Sequence, residues 1–142
     1  MADLEESTVS SALAYTHWSV RVVSFVIDML ACWSPNIIAG AIDSHNGALQ
    51  VGMLAVSVAL LGYNRCHLAG RTGQSWGKRL MGTDLVGLDT QEPIGARRAF
   101  LRDLAHLLDT LSCFLGWLWP LWDDRKQTFA DKLAATAVLG GD

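Results

Sequence analysis

The chain has 142 residues, a length that suits one domain. Only 18% of them are charged, 51% are hydrophobic and the mean hydropathy is +0.25, whereas soluble domains carry roughly a quarter charged residues. The net charge of −3 comes without a basic tail or aromatic–basic interleaving, which excludes a nucleic-acid-binding protein. The charges cluster between long apolar runs, and this pattern predicts a chain that is solvated partly by lipid.

Residues 1–15 form a polar N-terminal segment rich in Ser, Thr and acidic residues. Its first charged residues are Asp3, Glu5 and Glu6, where a secretory signal peptide would be positively charged. We therefore expect no signal peptide, and membrane insertion would rest on the internal hydrophobic segments.

Three hydrophobic segments follow, over residues 18–41, 48–68 and 99–122. Each comes close to the ~20 residues that a membrane-spanning helix needs. Pro35 is expected to kink or end the first helix near its outer end, and Arg65 is expected to snorkel to the interface. Trp117, Trp119 and Trp122 near the end of the third segment suit an interfacial aromatic belt.

The loop between the second and third segments, residues 70–98, is basic and rich in glycine. Within it, residues 74–81 are expected to form a short amphipathic surface helix, with Lys78 and Arg79 at the lipid headgroups. The predicted fold class is an all-α membrane protein with about three transmembrane helices and this surface helix before the third. The third span is either continuous, re-entrant or split at Gly116.

The distribution of Lys and Arg predicts the orientation. The loop between the first two segments has none, whereas six lie between the second and third: Arg65, Arg71, Lys78, Arg79, Arg97 and Arg98. The positive-inside rule places loop 70–98 and the N-terminus in the cytoplasm. Three simple spans would put residues 123–139 outside despite their basic residues, whereas a split or re-entrant third segment would return them to the cytoplasm. Both alternatives are open.

The sequence predicts no metal site, no cofactor and no enzymatic activity. Cys32, Cys66 and Cys113 have no CxxC or Cys/His spacing, so neither a zinc site nor a disulfide framework is expected. Gly77-Lys78 does not meet the Walker A pattern, because Arg79 stands where Ser or Thr is needed. The chain also lacks a Ser-His-Asp, Cys-His or HExxH arrangement.

Three motifs resemble those of the RDD family of bacterial membrane proteins. The Arg-Asp-Asp triad that names the family is matched by Arg21, Asp28 and Asp131. Residues 73–82 resemble its central G-x-T/S-x-G-K-x-x-x-G segment, through Gly73, Gly77 and Lys78, and residues 124–138 resemble its closing R-Q-x-x-H-D-x-x-A-G-T-x-V motif. The resemblance implies a multi-pass membrane domain over residues 16–139, closed by the motif within 123–139, in a bacterial cytoplasmic membrane.

Two positions depart from the family pattern. Ala130 stands where His is common, and Ala135 stands where Gly is common. The resemblance implies cation/proton exchange for some family members, and the missing His weakens that implication for this chain.

Arg21 and Asp28 are the first candidate site residues. They are seven residues apart, which places them on nearly the same face of a helix. An unpaired charge within a bilayer costs about 2.5–3.5 kcal/mol or more, so both side chains should face protein or a wet cavity. In one interpretation Arg21 snorkels and Asp28 accepts interhelical hydrogen bonds; in the other they belong to an ion or proton pathway.

The third segment carries a polar stripe. Arg102, His106, Asp109 and Cys113 follow at i, i+4, i+7 and i+11, within about 40° of one line on a helix. This series would suit a proton or cation relay, since imidazole titrates near neutral pH. Alternatively, the first turns of this helix lie in the headgroup zone and pair with arginines.

Two functional hypotheses follow. The first is a small accessory or assembly subunit of a larger membrane complex, with lipids and other membrane subunits, or further copies of itself, as partners. The second is a cation/proton transporter-like protein that acts as an oligomer, because three spans can hardly enclose a path. The small size of the chain favours the accessory hypothesis.

Overall fold

The computed structural model describes residues 14–140, and two long apolar helices dominate it. Helix α1 spans Trp18–Ile42. Helix α2, Gly47–Gly62, continues through a π-helical turn, Tyr63–Leu68, into helix α3, Ala69–Thr72. Helix α1 has 25 residues, and the continuous helical segment from α2 to α3 has 26. The two pack against each other. Each is long and apolar enough to cross a bilayer, as the sequence predicted.

Helix α1 buries a stripe of small and polar residues: Ser24, Asp28, Cys32 and Ala39. Residues at this spacing share one face of a helix, and small side chains let neighbouring backbones approach closely. The remaining surface of α1 is apolar and exposed, for example at Leu30 and Ile37. The core-facing side of this helix is therefore more polar than its outer side, which suits a helix surrounded by lipid.

Pro35 lies inside α1, so the alternative that it ends the helix is wrong. Proline has no N–H, and the Ala31 carbonyl therefore lacks its usual donor four residues on. The Ser34 hydroxyl donates to this carbonyl oxygen at 2.8 Å. The helix can then continue to Ile42.

The third hydrophobic segment is broken. Helix α5 spans Ala96–Leu111, helix α6 spans Leu115–Leu118, and a 3-10 turn, Trp119–Leu121, follows. The chain turns by 108° between α5 and the residues after it. Cys113 and Phe114 make this turn with left-handed backbone conformations. The split therefore lies before Gly116, and the segment is either one broken span or a re-entrant loop.

A small antiparallel sheet corrects the all-α prediction. Strand β1, Thr83–Gly87, pairs with strand β2, Thr136–Gly140, in a register that sets Leu85 opposite Val138. Consecutive apolar residues are buried in each strand, Leu85 and Val86 in β1 and Ala137 and Val138 in β2, so neither strand shows the regular polar–apolar alternation that marks a half-exposed strand. The two strands are also far apart in sequence, which hides their pairing.

Two short helices lie beside the start of α1. Helix α4, Trp76–Leu80, packs against α1, and helix α7, Phe129–Leu133, packs against α5. The Thr16 N–H donates to the Val138 carbonyl at 2.9 Å. The 108° turn thus brings the C-terminal segment back to the end of α1 at which the described chain begins. The expected surface helix over 74–81 exists only as α4, and one side of it is buried.

Candidate functional site

Asp28 is fully buried and forms the centre of one polar cluster. Its Oδ1 accepts hydrogen bonds from Asn64 Nδ2 at 2.7 Å and from the Gly77 N–H at 2.8 Å. Its Oδ2 accepts one from Ser75 Oγ at 2.6 Å. Arg65 Nη1 lies 4.0 Å from the same oxygen. One carboxylate therefore joins α1, the π-helical turn and α4.

Close backbone contact holds α4 against α1. A Cβ at Gly77 would overlap the Ser24 carbonyl oxygen and lie 2.8 Å from its carbon. Only glycine allows this approach, since any side chain would push the two helices apart. The Trp76 N–H next to it donates to Asn64 Oδ1 at 2.8 Å, so Asn64 serves both α4 and Asp28.

Gly73, the other glycine of this motif, ends α3 in a left-handed conformation with φ of +79°. Its carbonyl accepts a hydrogen bond from the Leu85 N–H at 2.7 Å. The motif therefore connects α3 to β1 at one end and to α1 at the other.

Asp131 is the centre of a second cluster. Its Oδ1 accepts from Arg102 Nε at 2.7 Å and its Oδ2 accepts from Arg21 Nη2. Oδ2 also accepts from the Thr128 N–H at 3.1 Å, while the Thr128 hydroxyl caps α7 at the Asp131 N–H. Burial alone would raise the pKa of Asp131, but the Arg102 and Arg21 guanidiniums hold it well below its usual range. This carboxylate ties α1, α5 and α7 together.

Arg65 and Asp103 form a third, bidentate contact. Arg65 Nε lies 2.7 Å from Asp103 Oδ2, and Arg65 Nη2 lies 2.9 Å from Asp103 Oδ1. The guanidinium also lies over the Phe25 ring, 5.1 Å from its centroid. The expectation that Arg65 snorkels to the interface is therefore wrong, because its charge is satisfied inside the fold.

His106 and Asp109 pair on the buried side of α5. His106 Nδ1 lies 2.6 Å from Asp109 Oδ2, and the His106 ring stacks on Trp117 at 4.5 Å. Asp109 Oδ1 accepts a hydrogen bond from the Ala130 N–H at 3.3 Å. The polar stripe predicted for this helix thus exists as far as Asp109. Its last member, Cys113, lies at the helix break and is exposed.

The triad residues do not form one group. Arg21 and Asp131 pair, whereas Asp28 has other partners. Both residues of α1 are held by groups on other helices, which agrees with the interpretation that Asp28 accepts interhelical hydrogen bonds.

Sequence reasoning missed several residues of this network: Asn64, Ser75, Asp103, Arg98 and Thr128. One signal was available, because Thr128 and Asp131 form a capping box, whose S/T-x-x-D/E pattern marks a helix start. Arg98 donates to the carbonyl oxygens of Ala134 and Ala135, each at 2.9 Å. Ala135 has a positive φ of 49°, which explains why glycine suits this position.

Lys78 is buried, with 8% of its surface exposed. Lys78 therefore does not lie on the exposed side of α4, whereas Arg79 does, and the headgroup contacts expected for both residues stay predictions. Within residues 14–140 the Lys78 ammonium has no hydrogen-bond or ion-pair partner. Burial, and then the nearby charges of Arg65 and Arg102, lower the pKa of Lys78 to about 7.

A half-enclosed cavity of about 410 Å³ lies between the start of α1, α4 and the broken third helix. Its charged lining residues are all basic: Arg21, Arg65, Lys78 and Arg102. His106 also lines it, and most of the wall is apolar, with Phe25 and Trp117 among its members. Among the described residues, no carboxylate lines the cavity. Nor does any group of three His, Cys, Asp or Glu side chains in residues 14–140 have a geometry suited to a metal ion.

Comparison with known proteins places these motifs in context. The profile described as RDD family matches residues 15–135. The proline-rich antigen of Mycobacterium leprae is 32% identical over 155 residues, which cover 89% of this chain and 61% of that protein. A proline-rich antigen homolog of Mycobacterium tuberculosis is 31% identical over 156 residues, which cover 89% and 63%. The chain thus spans less than two thirds of the length of these relatives. No solved structure matches it significantly.

Proposed function

The chain belongs to the RDD family, and from that premise we propose that it is a non-enzymatic accessory or assembly subunit that docks against other proteins in a bacterial cytoplasmic membrane. The observation that carries this proposal is the saturation of four acids, three of them fully buried and Asp103 half-buried. Asp28, Asp103, Asp109 and Asp131 are each held by donors from the same chain. In such a network the carboxylates stabilise the packing of one helix against another.

A cation pathway would need acids with different surroundings. A carboxylate that carries a cation must face water and exchange its partner, whereas none of these four lines the cavity, and Asp28, Asp109 and Asp131 are fully buried. The charges that do line the cavity are basic and repel cations. The alternative, a cation/proton transporter that acts as an oligomer, therefore has less support.

The network holds one end of the protein together, here called the base. In the base, Asp28 joins α1 to α4, and Asp131 joins α7 to the start of α1. Away from the base, α1 and α2 present exposed apolar side chains, including Leu30 and Val51. Lipid and the apolar spans of a partner protein are the two surroundings that suit such faces.

The same geometry supports an orientation. Residues 14–17, loop 70–98 and residues 123–140 lie together at the base, with most of the basic residues of the chain. By the positive-inside rule we place this base in the cytoplasm and the loop around His45 outside. The C-terminal segment would then be cytoplasmic.

The mass of the protein extracted from its own membrane in mild detergent tests the accessory role. We expect a complex of fixed stoichiometry with a second membrane protein. A photocrosslinking residue at the exposed position Leu30 should capture that same protein, whereas one at the buried position Cys32, on the opposite side of α1, should not. A uniform monomer or homo-oligomer, together with crosslinks to lipid alone, would contradict the proposal.

A further inference from the structure

We propose that the basic cavity is a binding site for the phosphate headgroup of an anionic lipid, with Lys78 as the residue that contacts the phosphate. The site goes beyond the accessory role, and it holds whether or not the chain has a protein partner. The Lys78 side chain takes no part in the saturated network described above.

The first argument is the state of Lys78. Lys78 is more than nine-tenths buried and lines the cavity, and its ammonium has no hydrogen-bond or ion-pair partner among residues 14–140. Buried charges in proteins are normally paired, since an unpaired one costs several kcal/mol. An anion in the cavity would supply the missing partner.

The second argument is the charge of the lining. Lys78 is one of four basic side chains on the cavity wall, together with Arg21, Arg65 and Arg102. Two of these arginines share the single carboxylate of Asp131, which does not line the cavity. The cavity therefore presents positive charge without an acid on its surface, and this attracts an anion and repels a cation.

The third argument separates a lipid from a free anion. Most of the lining is apolar, and the volume of about 410 Å³ is that of a site for a drug-sized molecule. Val22 and Phe114 line the cavity and are 37% and 60% exposed, so they place an apolar mouth between α1 and the broken helix. A phosphate with acyl chains satisfies both the basic wall and this mouth, whereas inorganic phosphate satisfies only the first.

Lipid titration of the purified protein in a zwitterionic detergent tests the site, with thermal stability and native mass as readouts. Phosphatidylglycerol should stabilise the wild type and remain bound, and phosphatidylcholine should not. Lys78→Met should bind phosphatidylglycerol about tenfold more weakly, the loss expected for one charge-assisted hydrogen bond. Arg79→Met, which removes an exposed charge from the same helix, should bind as the wild type does.

Val22→Trp provides a second variant that leaves every charge in place and fills the mouth of the cavity. It should also weaken phosphatidylglycerol binding, and it keeps the test decisive if Lys78→Met does not fold. Equal binding by the wild type and both cavity variants would overturn the proposal. An equal loss of phosphatidylglycerol binding in Arg79→Met would show that surface charge attracts the lipid, and it would also overturn the cavity as the binding site. Stabilisation by inorganic phosphate as large as that by phosphatidylglycerol would rule out the lipid.

Discussion

Replacing Gly77 by Ala should detach α4 from α1. The added Cβ would overlap the Ser24 carbonyl oxygen, which belongs to the backbone of α1 and cannot rotate away. Overpacking of this kind typically costs about 1–3 kcal/mol. If α4 moves to relieve it, Asp28 also loses the Gly77 N–H and Ser75 hydrogen bonds, each worth about 1.5–3 kcal/mol to a charged group. We expect a total of about 3–5 kcal/mol, because relaxation makes these terms less than additive.

The matched control is Gly52→Ala in α2, where an added Cβ meets no atom within 4 Å. Alanine in a helix is favoured over glycine by about 0.5–1 kcal/mol, so this variant should be unchanged or slightly more stable. Thermal unfolding in detergent, followed by tryptophan fluorescence, measures both. We expect the Tm of Gly77→Ala to fall on the order of 10 °C. Equal Tm values for the two variants would refute the close approach of α4 and α1.

Three further predictions concern the charged residues. Asp28→Ala should lower stability by about 3–5 kcal/mol, whereas Asp43→Ala in the exposed first loop should have little effect; membrane abundance and Tm compare them. Since the pKa of Asp131 is lowered in the folded protein, its contribution is present above about pH 4 and is lost as the pH falls through the folded value. Asp131→Asn should therefore be less stable than the wild type at neutral pH, and its stability should fall less below about pH 4. Unfolding curves across that range measure both, and a variant whose stability falls as steeply as that of the wild type would contradict the assignment. In a cysteine-free background, an impermeant thiol reagent applied to intact cells should label a cysteine at His45 and not one at Arg79; the reverse pattern would invert the topology.

The long helices could be predicted from sequence because each depends on local composition. Apolar runs of about 20 residues indicate spans whatever the rest of the chain does. The family triad could also be recognised, since Arg21, Asp28 and Asp131 stand in the order and spacing of the motifs that resemble the family. What each of them contacts was not visible from the sequence.

The partners depend on contacts between residues far apart in the chain. Arg21 and Asp28 lie on one helix face, as their spacing predicts, but each is held by groups from other elements: Asp131 lies 110 residues from Arg21 and Asn64 lies 36 from Asp28. The burial of Lys78 escaped prediction for a related reason. The amphipathic pattern predicts that the polar side of α4 faces solvent or headgroups, whereas Gly77 lets α4 pack closely against α1.

Cation flux into vesicles decides whether the buried acids hold the fold together or carry ions. Purified wild-type protein, reconstituted in liposomes and assayed between about pH 5.5 and 8.5, a range that brackets the pKa of a free imidazole, should give no flux above that of empty vesicles. Flux that rises with protein content, and that is lost in a folded His106→Gln variant, would contradict the structural role assigned to these residues.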